Sequence, residues 1–123
     1  MLPKLILIIE DHPDTQYGLA VWLRREGFHV TCLADAVSAV PVAGRILPDL
    51  VLLDLRLPGG DGIDLIPKLR DINPAGPTPI IVLTATSLAN RERAMAAGAT
   101  DFFQKPADNQ ELLAAIRTAL SEE

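Results

Sequence analysis

The chain holds one cysteine, Cys32, in 123 residues, so it can close no internal disulfide. Cys32 lies in a strand-like run, Val30-Thr31-Cys32-Leu33, and reads as a small core hydrophobe. No apolar stretch reaches the roughly 20 residues that a membrane span requires. No signal peptide is visible, since Met1-Leu2-Pro3-Lys4 leads directly into the first strand. Cytoplasm is the expected compartment. Positive charge is in deficit: 11 Lys and Arg stand against 16 Asp and Glu, a formal net charge of −5. Direct nucleic-acid binding needs a basic face and is not expected. There is no His or Cys cluster with zinc spacing, no internal repeat, no low-complexity tract and no linker. What remains is an ordinary globular composition, 49% hydrophobic and 22% charged. A chain this long fits one domain over residues 1–123 and buries about two-thirds of its unfolded surface.

Against these absences stand four apolar runs, each ending in a polar group. Leu5-Ile6-Leu7-Ile8-Ile9 runs into Glu10-Asp11, Leu50-Val51-Leu52-Leu53 into Asp54, Ile80-Ile81-Val82-Leu83 into Thr84, and Phe102-Phe103 leads to Lys105-Pro106. Short runs of this kind, separated by helical stretches, read as buried parallel strands. Strands are expected near 5–9, 29–33, 50–53, 80–83 and 101–104. Helices are expected near 14–26, 37–45, 63–71, 88–97 and 109–121. Gly27 and Gly98 read as helix stops, Asp108 and Glu111 as a capping box, and Pro58-Gly59-Gly60-Asp61-Gly62 as a turn. Pro67 is expected to delay or kink its helix. Alternating strand and helix imply a three-layer αβα fold, a (βα)₅ unit with a parallel sheet and right-handed crossovers.

In such a sheet, function lies beyond the carboxyl ends of the strands. Glu10, Asp11, Asp54, Thr84 and Lys105 are therefore expected to converge. Three crowded carboxylates raise one another's pKa, and a divalent cation together with Lys105 restores neutrality. The donors are hard oxygens, so Mg²⁺ is the expected ion. A carboxylate can attack phosphorus and form an aspartyl phosphate, and phosphoryl transfer needs mainly positioning and charge stabilisation. Asp54 is the candidate nucleophile, Glu10 and Asp11 the metal holders, and Thr84 and Lys105 the donors to phosphoryl oxygens.

These residues resemble the receiver domain of bacterial response regulators, over essentially the whole chain. The matching pieces are Glu10-Asp11, the block from Asp54 to Gly62, the step Leu83-Thr84-Ala85, and the run from Gly98 to Pro106. The resemblance implies a flavodoxin-like five-stranded sheet of order 2-1-3-4-5. It implies that Asp54 accepts a phosphoryl group from a phosphohistidine on a sensor histidine kinase or a phosphotransfer protein, with an unknown downstream target or output domain. It adds the Arg56 carbonyl as a metal ligand and Phe102 as the aromatic that moves with Thr84. The domain would assist its own phosphorylation and dephosphorylation without being an enzyme. The chain departs from the family in carrying Glu-Asp where Asp-Asp is commonest, Phe102 in place of Tyr, and Ala107 where many DNA-binding members carry Phe. Ala96 and Thr100 stand where those members often carry acids used in dimer pairing.

Plainer readings apply to single residues. An acid after a strand is usually a cap or a solvated end, and Asp61 is read as a turn or cap residue. His12 is read as an exposed loop histidine. Of the adjacent Phe102 and Phe103, Phe102 is expected to be the more exposed. Three other functions were weighed. A dehalogenase-type phosphatase would carry its nucleophile on the first strand with a second Asp two residues on. A flavodoxin-like cofactor binder would need a phosphate loop where Glu10-Asp11 stand. A phosphorylation-independent interaction module with the same fold is the remaining alternative.

Overall fold

The computed structural model describes residues 2–121. The chain folds as β1 (Leu5–Ile9), α1 (Pro13–Arg25), β2 (His29–Leu33), α2 (Ala39–Ile46), β3 (Leu50–Leu53), β4 (Arg56–Leu57), β5 (Gly60–Asp61), α3 (Gly62–Arg70), β6 (Ile80–Thr84), α4 (Asn90–Ala97), β7 (Asp101–Gln104) and α5 (Asn109–Leu120). Five strands form one parallel sheet of order β2-β1-β3-β6-β7. This is the expected 2-1-3-4-5 order, with a two-stranded antiparallel hairpin added, β4 lying just before the stretch expected to be a plain turn and β5 within it.

The sheet is covered on both faces, which explains its nearly unbroken apolar strands. On one face Leu7, Ile9, Val51, Leu53, Ile80 and Val82 pack against Ala39 and Ala43 of α2, Ile66 and Leu69 of α3, and Ala94 of α4. On the other, Ile6, Ile8, Leu50, Leu52, Ile81 and Leu83 pack against Ala20 and Leu23 of α1 and Leu112 and Ile116 of α5. Cys32 is half-buried at the margin of this second layer, as its strand position implies.

That two-sided cover reverses the expectation for the phenylalanines. Phe102 is buried, 7% exposed, beside Val82 and on the side of β7 that α4 covers, while Phe103 on the other face is only partly covered. Alternation along β7 sets the two rings on opposite faces, and α4 closes over the side that Phe102 occupies.

Local chemistry sets several boundaries. Asp61 caps α3, its carboxylate accepting the Ile63 N–H at 2.9 Å. Asp108 caps α5, accepting the Glu111 N–H at 3.0 Å. Pro67 neither delays nor ends α3, which starts at Gly62, earlier than expected. Gly98 closes α4 in the left-handed region, φ 116°.

Candidate functional site

Strand register brings the site together. Ile9 pairs with Leu53, Leu53 with Val82, and Thr84 with Gln104. The residues immediately beyond β1, β3 and β7 are Glu10, Asp54 and Lys105, and Thr84 ends β6, so all four meet at the carboxyl edge of the sheet. Two backbone bonds carry the ladder past its ends: the Glu10 N–H donates to the Leu33 carbonyl at 2.9 Å, and the Asp54 N–H to the Ile9 carbonyl at 3.0 Å.

Asp54 lies at the centre, 7% exposed. Its Oδ1 accepts the Thr84 hydroxyl at 2.8 Å and the Arg56 N–H at 3.0 Å. Its Oδ2 accepts the Lys105 ammonium at 3.1 Å. Lys105 also reaches Glu10 Oε1 at 2.5 Å. Glu10 is buried, and its Oε2 accepts the His12 N–H at 3.0 Å. One ammonium thus bridges two buried carboxylates. Burial by itself lowers the Lys105 pKa, but the hydrogen bonds and charges of Glu10 and Asp54 outweigh it and hold the ammonium above its usual value.

Thr84 has no solvent exposure, and its Oγ1 also receives the Thr86 N–H at 3.4 Å. The Thr86 hydroxyl oxygen is buried and has no hydrogen-bond partner among the described residues.

Asp11 is exposed at the mouth of the site, as is His12. One ligand atom each of Glu10, Asp11 and His12 lies within 4.8 Å of the others. The exposed loop position expected of His12 is what the structure shows. The donor set suits magnesium: Lys105 pairs with two buried carboxylates, Glu10 and Asp54, and the exposed Asp11 beside Glu10 brings the formal balance of these four groups to two negative charges on hard oxygens.

The structure joins Glu10, Asp54, Thr84 and Lys105 directly, and sets Asp11 beside Glu10. Sequence reasoning passed over Gln16, whose side-chain amide donates to the carbonyls of Glu10 and Leu33 at 2.9 and 3.0 Å. Its only sequence signal is its place in the first turns of α1, which does not distinguish it from any polar helix residue.

Known proteins are similar to this chain in sequence and in fold. The chain is 34% identical over 119 residues, 96% of its length, to the probable transcriptional regulatory protein TcrX of Mycobacterium tuberculosis, covering 50% of that protein. It is 39% identical over 116 residues, 94% of its length, to the sensory transduction protein RegX3 of Mycolicibacterium smegmatis, again covering 50%. The chain spans about half the length of these curated relatives.

Among solved structures it is similar to the BeF3-activated receiver domain of RstA from Klebsiella pneumoniae, with a TM-score of 0.88 and 34% identity over 96% of this chain and 99% of that one. It is equally similar to the receiver domain of a Pseudomonas aeruginosa sensor histidine kinase, which has magnesium coordinated in its cleft, with a TM-score of 0.87 and 35% identity over 98% and 99% of the two chains. The family model of the response regulator receiver domain matches residues 6–117. With its fold, its acidic edge and these likenesses in agreement, the chain belongs to the response regulator receiver domain family, the module of two-component signalling.

Proposed function

We propose that this receiver takes a phosphoryl group onto Asp54 from a phosphohistidine of a sensor histidine kinase or a histidine phosphotransfer protein. The observation that carries the reading is the joining of Asp54 to both Lys105 and Thr84 within 3.1 Å. An Asp54 carboxylate oxygen attacks phosphorus. The P–N bond to the donor imidazole breaks, and the imidazole leaves with the bonding pair. The Thr84 hydroxyl and the Lys105 ammonium, released from the carboxylate, then donate to phosphoryl oxygens.

Glu10, Asp11, Asp54 and the Arg56 carbonyl would hold Mg²⁺, which supplies positive charge against the phosphoryl oxygens. The protein's own part is positioning. Lys105 keeps Glu10 and Asp54 apart in charge, and the buried Thr84 offers one donor along a fixed direction. The aspartyl phosphate adds about −1.5 to −2 charge at pH 7. Thr84 and Phe102 relay that change to the surface made by α4, β7 and α5, which a downstream target or output domain reads.

The chain acts as a switch that assists its own phosphorylation and dephosphorylation, not as an enzyme with a separate substrate. It acts in the cytoplasm, with no direct contact to nucleic acid. No helix of the described residues is long and apolar enough to cross a membrane.

The test is intact-protein mass after incubation with acetyl phosphate, with and without Mg²⁺, for the parent chain and Asp54→Asn. A Mg²⁺-dependent, hydroxylamine-labile adduct absent from the variant is the expected result. An adduct on the variant would place the acceptor elsewhere. No adduct from acetyl phosphate or from a phosphorylated histidine protein would leave a phosphorylation-independent module.

A further inference from the structure

Asp11 poses a geometric question that Glu10 does not. The Glu10 side chain is pinned by the Lys105 ammonium and the His12 N–H. The Asp11 carboxylate is exposed, and no hydrogen bond among the described residues fixes it. Its aim is set by the backbone from Glu10 to His12. That backbone is tied at both ends to one residue. The Gln16 side-chain amide donates to the Glu10 carbonyl at 2.9 Å and to the Leu33 carbonyl at 3.0 Å. The Gln16 backbone N–H donates to the His12 carbonyl at 2.9 Å.

The chemistry is specific to an amide. Both side-chain acceptors are carbonyl oxygens, so only the NH₂ end of Gln16 can serve, and it has one hydrogen for each. The Leu33 carbonyl also receives the Glu10 N–H at 2.9 Å. Gln16 therefore closes a small network exactly where the β1–β2 ladder ends and the acidic loop begins. Gln16 is part-buried, so loss of the amide would leave the Glu10 carbonyl without its donor and the Leu33 carbonyl with the Glu10 N–H alone, and would free the Glu10–Asp11 peptide to rotate.

We infer that Gln16 is a positioning residue for the acidic pair: by clamping the Glu10 carbonyl to the end of β2, it aims the Asp11 carboxylate at the divalent cation. This rests on the reading of Glu10 and Asp11 as holders of Mg²⁺. Outer partners that orient metal ligands are typically worth 10–100-fold in affinity. Gln16 acts through backbone, so a loss of roughly tenfold, the low end of that range, is expected.

The experiment compares the parent chain with Gln16→Leu and Gln16→Met, neither of which carries a donor. Mg²⁺ dissociation constants come from calorimetric titration, thermal midpoints from circular dichroism, and phosphorylation rates from acetyl phosphate across a Mg²⁺ series. For both variants we expect a dissociation constant raised roughly tenfold and a phosphorylation rate that regains its parent value at saturating Mg²⁺. A variant that loses thermal midpoint but keeps parent Mg²⁺ affinity overturns the inference, leaving Gln16 a strand-end brace only. Parent affinity in Gln16→Met, which keeps nearly the length of glutamine without its amide hydrogens, also counts against it. A parent chain that binds no Mg²⁺ at all sinks the underlying reading instead, which the first titration shows before any variant is compared.

Discussion

Gly62 begins α3 with no room for a side chain. A Cβ there would stand 2.6 Å from the Leu55 Cα, 2.9 Å from the Leu55 carbonyl oxygen and 3.0 Å from the Asp54 carbonyl oxygen. All three are backbone atoms, so the clash cannot be relieved by a rotamer. Two effects compete in Gly62→Ala. Helix propensity favours alanine by about 1 kcal/mol, while overpacking against a fixed neighbour costs about 1–3 kcal/mol. The clash should win, since yielding means displacing the Asp54–Leu55 backbone and, with it, the Asp54 carboxylate. The expected outcome is a net loss of up to about 2 kcal/mol in urea unfolding, with slower phosphoryl uptake. Unchanged stability would show that the hairpin β4–β5 gives way without strain.

At the scale of elements, α3 and α4 make opposite bargains. Pro67 lies inside α3 and removes one helix hydrogen bond, at a cost of about 3 kcal/mol. Yet α3 runs unbroken from Gly62 to Arg70. Ile63, Leu65, Ile66 and Leu69 are all buried, and each contributes about 1.5–3 kcal/mol, so packing decides the outcome over local propensity. The polar Asn90-Arg91-Glu92-Arg93 opens α4, which buries Ala94 alone. An element with so little buried area should open at low free energy. Amide hydrogen exchange at fixed pH should therefore be at least about tenfold faster in α4 than in α3. Equal protection would mean that α4 is held by more than its own burial, and would weaken its place in a switching surface.

Across the whole molecule, Lys105 joins the ends of three strands, reaching Glu10 after β1 and Asp54 after β3 from its own place after β7. Its pKa is raised in the folded state above the ordinary 10.5: burial opposes the charge, but Glu10 and Asp54 more than offset this. A group raised on folding gives its full stabilisation below the unfolded value and loses it as pH climbs through the folded one. The contribution should be constant through neutral pH and fall only above 10.5. Lys105→Met leaves two buried carboxylates without their cation and should cost about 2 kcal/mol near neutrality, in the range for hydrogen bonds to charged groups. Urea unfolding of both chains checks the sign, because the gap between them should narrow as pH passes 10.5. A gap independent of pH would assign the loss to packing of the lysine stem. Tyr17 and Cys32 are present in both chains and cancel in the comparison.

Much of this was legible in the residue order. Buried parallel strands need continuous apolar runs, so β1, β3 and β6 announce themselves, and the polar group closing each run marks the carboxyl edge. That logic placed Glu10, Asp54, Thr84 and Lys105 at one edge of a parallel sheet, while the strand order came from the family resemblance. The turn and cap role of Asp61 followed from its place beside glycines. Other features arise only when distant segments meet. The burial of Phe102 depends on α4 crossing over β7, a packing choice that alternation along a four-residue strand cannot reveal. The continuity of α3 through Pro67 depends on the core it enters. The hairpin β4–β5 depends on Arg56 and Leu57 meeting Asp61 and Gly60 across a turn. Gln16 gains its role only because folding sets the carbonyls of Glu10 and Leu33 side by side. The sequence by itself determined which groups stand at the edge of the sheet, because strand period and run length are local. Their aim, burial and pairing were decided by tertiary structure, because those depend on residues up to 95 positions apart, as Glu10 and Lys105 are.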